Sequence, residues 1–195
     1  MTPEIIQAAK DNKSQRLRTL ILDGADPNTR DEYGETGMTW AARLGHTAII
    51  KDLLACQADQ SLFGDLFRST PLQLACHAGH RGIVALLSVL GDVNRPNQIG
   101  RTPLMLTVQP AEETLKPERR ILGILKILFE NDVDLDAVDL DGNTALHHAV
   151  NAGTISAVEA LRRAGARADI RNQNGETARD LADFLGRDEL LPFLR

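Results

Sequence analysis

The side chains best suited to chemistry in this sequence are its five histidines and two cysteines. His77 and His80 stand three residues apart, so both fall on one side of a helix and could touch a single metal ion. No third ligand nearby in the sequence completes such a site, which makes a metal the minority interpretation. His147 and His148 are adjacent and point about 100° apart on a helix, so they cannot chelate one ion together.

The two cysteines also give little indication of a disulfide framework, a metal site or a reactive thiol. Two cysteines are too few for a disulfide framework, and their spacing is unlike that of a zinc site. Two free thiols are favoured, with one disulfide between Cys56 and Cys76 as the alternative. Cys76 falls in a small-residue slot and is expected to be buried and inert, whereas Cys56 is expected to see solvent without a basic neighbour that would activate it.

Motifs for nucleophiles, cofactors and metals are absent from the sequence. It contains no G-x-S-x-G, no Walker loop, no H-E-x-x-H and no G-x-G-x-x-G. We therefore predict no catalytic residue, no cofactor and no metal. Aromatic residues make up only 4% of the chain, too few for a large aromatic-lined pocket or a base-stacking surface.

The charge and hydropathy patterns argue against two further kinds of partner. Lys and Arg number 22 against 27 Asp and Glu, a net charge of -5, and no basic run exceeds two residues. Nucleic acid and membranes are therefore not expected as partners, and no apolar run approaches the roughly eighteen residues of a membrane span. A cytoplasmic location is the default expectation, and export to the periplasm stays open because a signal peptide can be removed.

The elements that position these residues recur along the chain. Five threonines, spaced by 34, 32, 42 and 33 residues, each precede an apolar segment, and in most units a glycine and a second apolar segment follow. They are Thr36, Thr70, Thr102, Thr144 and Thr177. A threonine hydroxyl can cap a helix here, and Pro71 and Pro103 suit the first helical position. Each unit is thus predicted to be two short helices that bury their apolar faces only by stacking on neighbouring units.

These units resemble the ankyrin repeat. Thr70-Pro71-Leu72-Gln73-Leu74-Ala75 is similar to its T-P-L-H-x-A segment, and units close on a form of Gly24-Ala25-Asp26-Pro27-Asn28. The resemblance implies an all-α fold, an α-solenoid of stacked helix-turn-helix units with β-hairpin-like finger turns. It implies that His46, His80 and His147 bridge backbone groups of adjacent units. We expect a single domain over residues 1–195 in six units: about 2–30 as N-terminal cap, 31–63, 64–96, 97–138, 139–171, and 172–195 as C-terminal cap.

Two places depart from the repeat. About nine additional residues fall near 109–118 in the fourth unit, where two prolines and mixed charge predict an exposed excursion, either a solvated spacer or an arm that contacts a partner. The segment 62–67 is one residue too long, and Arg68 replaces the expected turn glycine. The finger at this point is therefore expected to be distorted.

The resemblance also implies a function, the non-catalytic binding of another protein. In such repeats the finger tips and first helices form a concave face whose residues are not fixed by packing. Apolar side chains at tip positions that are usually polar indicate an interaction surface. The alternative is that Leu66 and Phe67 fold back over the core. The predicted partner-binding residues are Tyr33, Glu35, Arg43, Leu66, Phe67, His77, Ile99, Arg101, Leu140 and Asp141.

The expected mode of action is a stand-alone adaptor or a stoichiometric inhibitor that occludes its partner, because no second domain is visible in the sequence. We expect a monomer when free. Small ankyrin-only proteins often resemble that pattern, including bacterial immunity-type proteins that guard their host against its own enzymes. Two alternatives stay open: a structural protein that self-associates through the tip residues, and an enzyme accessory protein with a cryptic site.

Overall fold

The computed structural model describes residues 2–109 and 118–195. The chain divides into two compact units, one ending at Gly91 and the other beginning at Asp92. Each unit is built from pairs of short helices joined by tight turns. The excursion expected near 109–118 falls almost wholly on 110–117, outside the described residues.

The unit that ends at Gly91 contains three helical hairpins. Its first helices pack in series, α1 on α3 and α3 on α5, and its second helices do the same, α2 on α4 and α4 on α6. Between the two layers lie fully buried side chains such as Ile6, Leu17, Ile49 and Ile83. The helices are α1 (Glu4–Lys10), α2 (Ser14–Leu22), α3 (Gly37–Leu44), α4 (Thr47–Ala55), α5 (Pro71–Ala78) and α6 (Arg81–Leu87).

The unit that begins at Asp92 repeats this plan. Helices α7, α9 and α11 form one layer, and α8, α10 and a final 3₁₀ helix form the other. Leu104, Ile124, Leu146 and Leu161 are fully buried between them. The elements are α7 (Pro103–Val108), α8 (Glu118–Phe129), α9 (Ala145–Ala152), α10 (Ile155–Ala164), α11 (Ala178–Phe184) and the 3₁₀ helix (Asp188–Phe193).

The predicted helix starts are confirmed. All five threonines are N-caps whose hydroxyl accepts the backbone N–H three residues on, which satisfies a donor that the helix leaves free. In α3, α5, α9 and α11 the side chain of that later residue also accepts from the backbone N–H of the threonine, and Pro71 and Pro103 open their helices.

Several helices end at a glycine. Gly45, Gly79, Gly153 and Gly165 end their helices in the left-handed conformation. Helix α6 instead ends at Leu87, and Gly91 donates its N–H to the Leu87 carbonyl without adopting a left-handed φ.

Backbone-bridging histidines join consecutive hairpins, as the resemblance implied. His46 Nδ1 donates to the Ala9 carbonyl and His80 Nε2 to the Arg43 carbonyl, both at 2.9 Å. His147 Nε2 donates to the Glu176 carbonyl at 3.1 Å. Arg187 does the same task in the last hairpin, where its guanidinium donates to the Asn151 carbonyl at 2.7 Å.

The predicted fold class is confirmed. No strand accompanies the helices of residues 2–109 and 118–195, and the fingers contribute two isolated antiparallel bridges, Arg30 with Thr36 and Gly64 with Ser69. No helix in these ranges combines the length and apolar character needed to cross a bilayer.

Two glycines in the finger turns allow two costs of substitution to be compared: the cost of a left-handed backbone and the cost of a clash with the neighbouring finger. Gly142 has φ +76° and a Cβ there would lie 2.9 Å from the backbone nitrogen of Gln173, whereas Gly175 has φ +79° and open space around it. Gly175→Ala should cost about 1 kcal/mol for the left-handed conformation alone. Gly142→Ala should cost about 1–3 kcal/mol more, because the neighbouring finger must move.

Urea unfolding of both variants checks this expectation. Equal destabilisation by the two substitutions would show that the neighbouring finger does not lie against Gly142.

Candidate protein-binding surface

All five fingers share one construction. Each begins at an Asp or Asn whose Oδ1 accepts the backbone N–H groups two and four residues later, and ends after five residues at the capping threonine. The ten distances lie between 2.8 and 3.2 Å. One side-chain oxygen therefore fixes the backbone of the whole tip. The first residues are Asp31, Asp65, Asn97, Asp139 and Asn172.

Three apolar side chains project from the tips of the first two fingers. Tyr33 is 76% exposed, Leu66 90% and Phe67 49%. Leu66 therefore does not fold back over the core, and Phe67 is half covered. The two fingers are neighbours, because Arg30 Nη1 donates to the Gly34 carbonyl at 2.8 Å and to the Phe63 carbonyl at 3.0 Å.

The finger at 65–70 absorbs its irregularity without losing the shared construction. Arg68 adopts φ +54° in place of the expected glycine, and Asp65 adopts φ +63°. The Arg68 guanidinium lies 3.9 Å from the centroid of the Phe63 ring, a cation–π contact that offsets some of the cost of this conformation. Asp65 still accepts from Phe67 and Ser69, so the additional residue is accommodated before Asp65.

Glu35 is placed differently from the expectation of an exposed tip residue. It is only 3% exposed and forms an ion pair with Arg43, which is half-buried. The other carboxylate oxygen packs against Gly64, where a Cβ would collide with it. Glu35 therefore positions Arg43 and is not itself part of an accessible surface. His77, the remaining predicted residue in this unit, is half-buried.

Trp40 is half-buried between two cations. Lys10 Nζ lies 4.0 Å and the Arg43 guanidinium 5.0 Å from its ring, and its Nε1 donates to Asp31 at 3.2 Å. Asp31 is also the first residue of the finger that carries Tyr33. The single tryptophan of the chain thus contacts both Arg43 and the first residue of this finger.

In the unit that begins at Asp92, the predicted residues lie on fingers linked by backbone hydrogen bonds. The Leu140 N–H donates to the Ile99 carbonyl at 3.2 Å, and the Gln173 N–H to the Asp141 carbonyl at 2.9 Å. Leu140 is 63% exposed and Asp141 is exposed, whereas Ile99 and Arg101 are half-buried. Leu140 is therefore the main apolar projection of this unit's fingers.

A buried polar cluster that the sequence did not reveal supports the Leu140 finger. Asp139 Oδ2 accepts from His148 Nε2 at 2.8 Å, while its Oδ1 holds the finger. The Gln109 amide donates to His148 Nδ1 at 3.1 Å, and its carbonyl accepts from Arg101 at 3.3 Å. This pattern suits the neutral imidazole, because a proton on Nδ1 would face the Gln109 amide donor.

Burial lowers the pKa of His148, although the hydrogen bond to Asp139 opposes the shift. Burial also lowers the pKa of His147, opposed by its hydrogen bond to the Glu176 carbonyl. His147 Nδ1 accepts the backbone N–H of Thr144 at 3.2 Å, so this imidazole is held neutral as well. Both side chains serve the structure, and within residues 2–109 and 118–195 no group of His, Cys, Asp and Glu could hold a metal ion. Cys76 is buried and Cys56 exposed, both as free thiols.

Family comparison decides what these hairpins are. The family model for ankyrin repeats, in three copies, matches residues 5–97 and 119–195. The chain belongs to the ankyrin-repeat family. Ankyrin repeats form a protein–protein interaction module, and the fold is typically non-catalytic.

Two relatives show how widely the module is used. Putative palmitoyltransferase ZDHHC13 of Danio rerio is 35% identical over 182 residues, which cover 90% of this chain and 26% of that protein. Neurogenic locus notch homolog protein 1 of Homo sapiens is 32% identical over 169 residues, 85% of this chain and 6% of that protein. The chain thus spans about a quarter or less of these relatives.

Solved structures show the same fold. An ankyrin repeat domain from Acinetobacter baumannii superposes with a TM-score of 0.83 at 23% identity, covering 98% of this chain and 95% of that chain. A second ankyrin repeat protein also has a TM-score of 0.83, at 24% identity, covering 97% and 95%.

The lowered pKa values of His147 and His148 allow us to predict how the free energy of unfolding depends on pH. Because their folded pKa values lie below the ordinary value of about 6.5, the unfolded chain binds more protons just below that pH. Their contribution to the free energy of unfolding should be complete above about pH 6.5 and decline as the pH falls further.

The matched variant is His147→Gln with His148→Gln, since Gln73 already fills the equivalent capping place in α5. Denaturant unfolding between pH 7 and 5 should show a shallower pH dependence in this variant than in the wild-type protein. The same slope in both proteins would contradict the assignment.

Proposed function

We propose that this chain binds one partner protein through its finger tips, without catalysis, and acts as an adaptor or as a stoichiometric inhibitor that occludes the partner. The observation that supports it most is the group Tyr33, Leu66 and Phe67, three apolar side chains held in solvent on fixed fingers. We call this group the first tip cluster.

The first tip cluster has the properties of interface anchors. Aromatic side chains contribute most of the energy in many interfaces, and solvent exposure of several of them together marks an interaction site. The hydrogen bonds to Asp31 and Asp65 hold the tip backbone in place before binding. Binding then costs less conformational entropy than it would for mobile loops.

Cations surround the first tip cluster. Arg30 and Arg68 are exposed beside it, and Arg43 is half-buried against Trp40. Arg30 and Arg68 both lie over the Phe63 ring, at 5.2 and 3.9 Å. A partner that presents an apolar segment flanked by acidic side chains would complement this arrangement.

In the unit that begins at Asp92, we propose that Leu140 and Asp141 contact the partner, with Ile99 and Arg101 supporting them. Leu140 supplies the exposed apolar surface, and the backbone link to Ile99 fixes its position. This contact is separable from the first tip cluster, because variants at Leu140 leave the other unit's residues unchanged.

A cryptic enzyme site finds little support in the geometry. Among the residues that the structure describes, the one His–carboxylate pair that could resemble a catalytic dyad is His148 with Asp139, whose side chains are only 8% and 1% exposed. The hydrogen-bond partners of the imidazole are Asp139 and Gln109, neither of which is a nucleophile of the kind that His activates. A substrate would have no access to this pair.

Substitution of the two aromatic anchors tests the proposed function. Affinity capture from the native source with mass spectrometry would identify the partner, and calorimetry would then give its Kd. Tyr33→Asp with Phe67→Asp should weaken binding at least about a hundredfold, because each anchor is worth about 2 kcal/mol. The matched control is Leu22→Asp with Phe184→Asp, two side chains 86% and 79% exposed outside the fingers, which should bind normally.

Both double variants should keep their helical circular dichroism and nearly their melting temperature, because exposed substitutions change stability by about 0.5 kcal/mol or less. Unchanged capture by the tip variant would contradict the proposed surface, and loss of fold would show that the tips are core. Light scattering that shows mass rising with concentration, abolished by the same variant, would favour self-association instead.

A further inference from the structure

We propose that the arginine-lined cavity between the last two hairpins is a binding site for a phosphate group. The cavity has a volume of about 380 Å³ and lies within the unit that begins at Asp92. Its charged lining consists of Arg162, Arg167, Arg179, Arg195 and Asp169. None of the predicted partner-binding residues takes part, so the site is independent of the proposed function.

Arg162 lines this cavity and is held by three hydrogen bonds. Its Nε donates to the Phe193 carbonyl at 3.1 Å, one terminal nitrogen to the backbone oxygen of Arg195 at 3.0 Å, and the other to the Ala166 carbonyl. The Phe193 and Ala166 acceptors are neutral carbonyls, whereas the Arg195 oxygen belongs to the α-carboxyl group at which the sequence ends and offsets part of the charge of the half-buried guanidinium. Two of its five N–H groups are left over from these bonds and are available to an oxyanion.

The other arginines add charge that the fold does not neutralise. Arg179 makes one long hydrogen bond, 3.5 Å, to the Leu191 carbonyl. In the described part of the chain no Asp or Glu side chain forms an ion pair with Arg162, Arg179 or Arg195, whereas Arg167 is paired with Asp169 at 2.9 Å. The lining side chains carry three more positive than negative charges, and the α-carboxyl group of Arg195 reduces this excess to two, in a chain whose net charge is -5.

A dianionic oxyanion fits this lining better than a single carboxylate. Guanidinium groups bind phosphate oxygens through paired N–H donors, and several of them round one cavity repel one another until an anion is bound. A phosphate group supplies two negative charges and three acceptor oxygens near neutral pH. Hydrogen bonds to backbone oxygens account for Arg162 and the ion pair with Asp169 accounts for Arg167, but neither accounts for Arg179 and Arg195 in the same lining.

Calorimetric titration of the full chain tests the site with two phosphate probes at constant ionic strength. Inorganic phosphate represents a free ion, and a short phosphoserine peptide represents a phosphate attached to a protein. We expect saturable binding of at least one probe, and the tighter of the two identifies the source. The unphosphorylated peptide and acetate should bind at least about tenfold more weakly.

Arg179→Gln is the decisive variant, because this exposed side chain makes only one weak contact and its loss should leave the fold intact. It should weaken phosphate binding at least about tenfold. Arg163→Gln is the matched control, since Arg163 is exposed on the same helix as Arg162 but pairs with Glu159 away from the cavity lining. It should bind as the wild type does.

Three outcomes would overturn the proposal: no saturable binding of either probe, equal binding of acetate, or equal weakening by the two arginine variants. The last would show that phosphate responds only to net charge. None of these outcomes bears on the finger tips, whose test measures binding of a protein partner.

Discussion

Every finger of this protein depends on one side-chain oxygen at its first residue. The Asp or Asn oxygen accepts two backbone N–H groups that point into the turn, and a carboxylate acceptor makes these bonds stronger than bonds between neutral groups. Five residues after that oxygen, a threonine hydroxyl starts the next helix. Finger and helix are thus fixed together, and the direction of the tip side chains follows from the backbone.

The stacking of the hairpins explains why the position of each finger matters to the rest of the chain. Within each unit, adjacent helices cover one another's apolar faces, so the hairpins stabilise one another in series. A misplaced finger would shift the next hairpin, because fingers touch through the Leu140–Ile99 and Gln173–Asp141 backbone bonds. His46, His80 and Arg187 join neighbouring hairpins at the opposite end of the first helices, whereas His147 bonds the Glu176 carbonyl at the finger end.

The sequence predicts what repeats and fails where a contact occurs once. The threonine caps follow from the period and the bridging histidines from the family resemblance, and the structure confirms both. Glu35 was expected at the surface because its position in the repeat is usually exposed. It is buried because the finger of the next hairpin places Gly64 against it, a contact specific to this pair of hairpins.

Other features lay outside the reach of sequence patterns for the same reason. The second carboxylate oxygen of Asp139 binds His148 only because α9 lies beside the finger. Arg187 stands where other hairpins carry a bridging histidine, and its side chain has a similar reach. The histidine motif therefore did not indicate its role. The arginines of the last cavity are separated by up to 33 positions, and only the folded final hairpin brings them together.

The central claim is that the tips are held before any partner arrives, and amide hydrogen exchange in the free protein tests it directly. The amides of Tyr33, Phe67, Ile99, Asp141 and Asn174 each donate to the first residue of their own finger. Their exchange should be slower than that of an unstructured peptide by at least about tenfold, despite their position at solvent-facing turns. Exchange at the unstructured rate would show that the fingers are mobile and that the tip side chains are not positioned in advance.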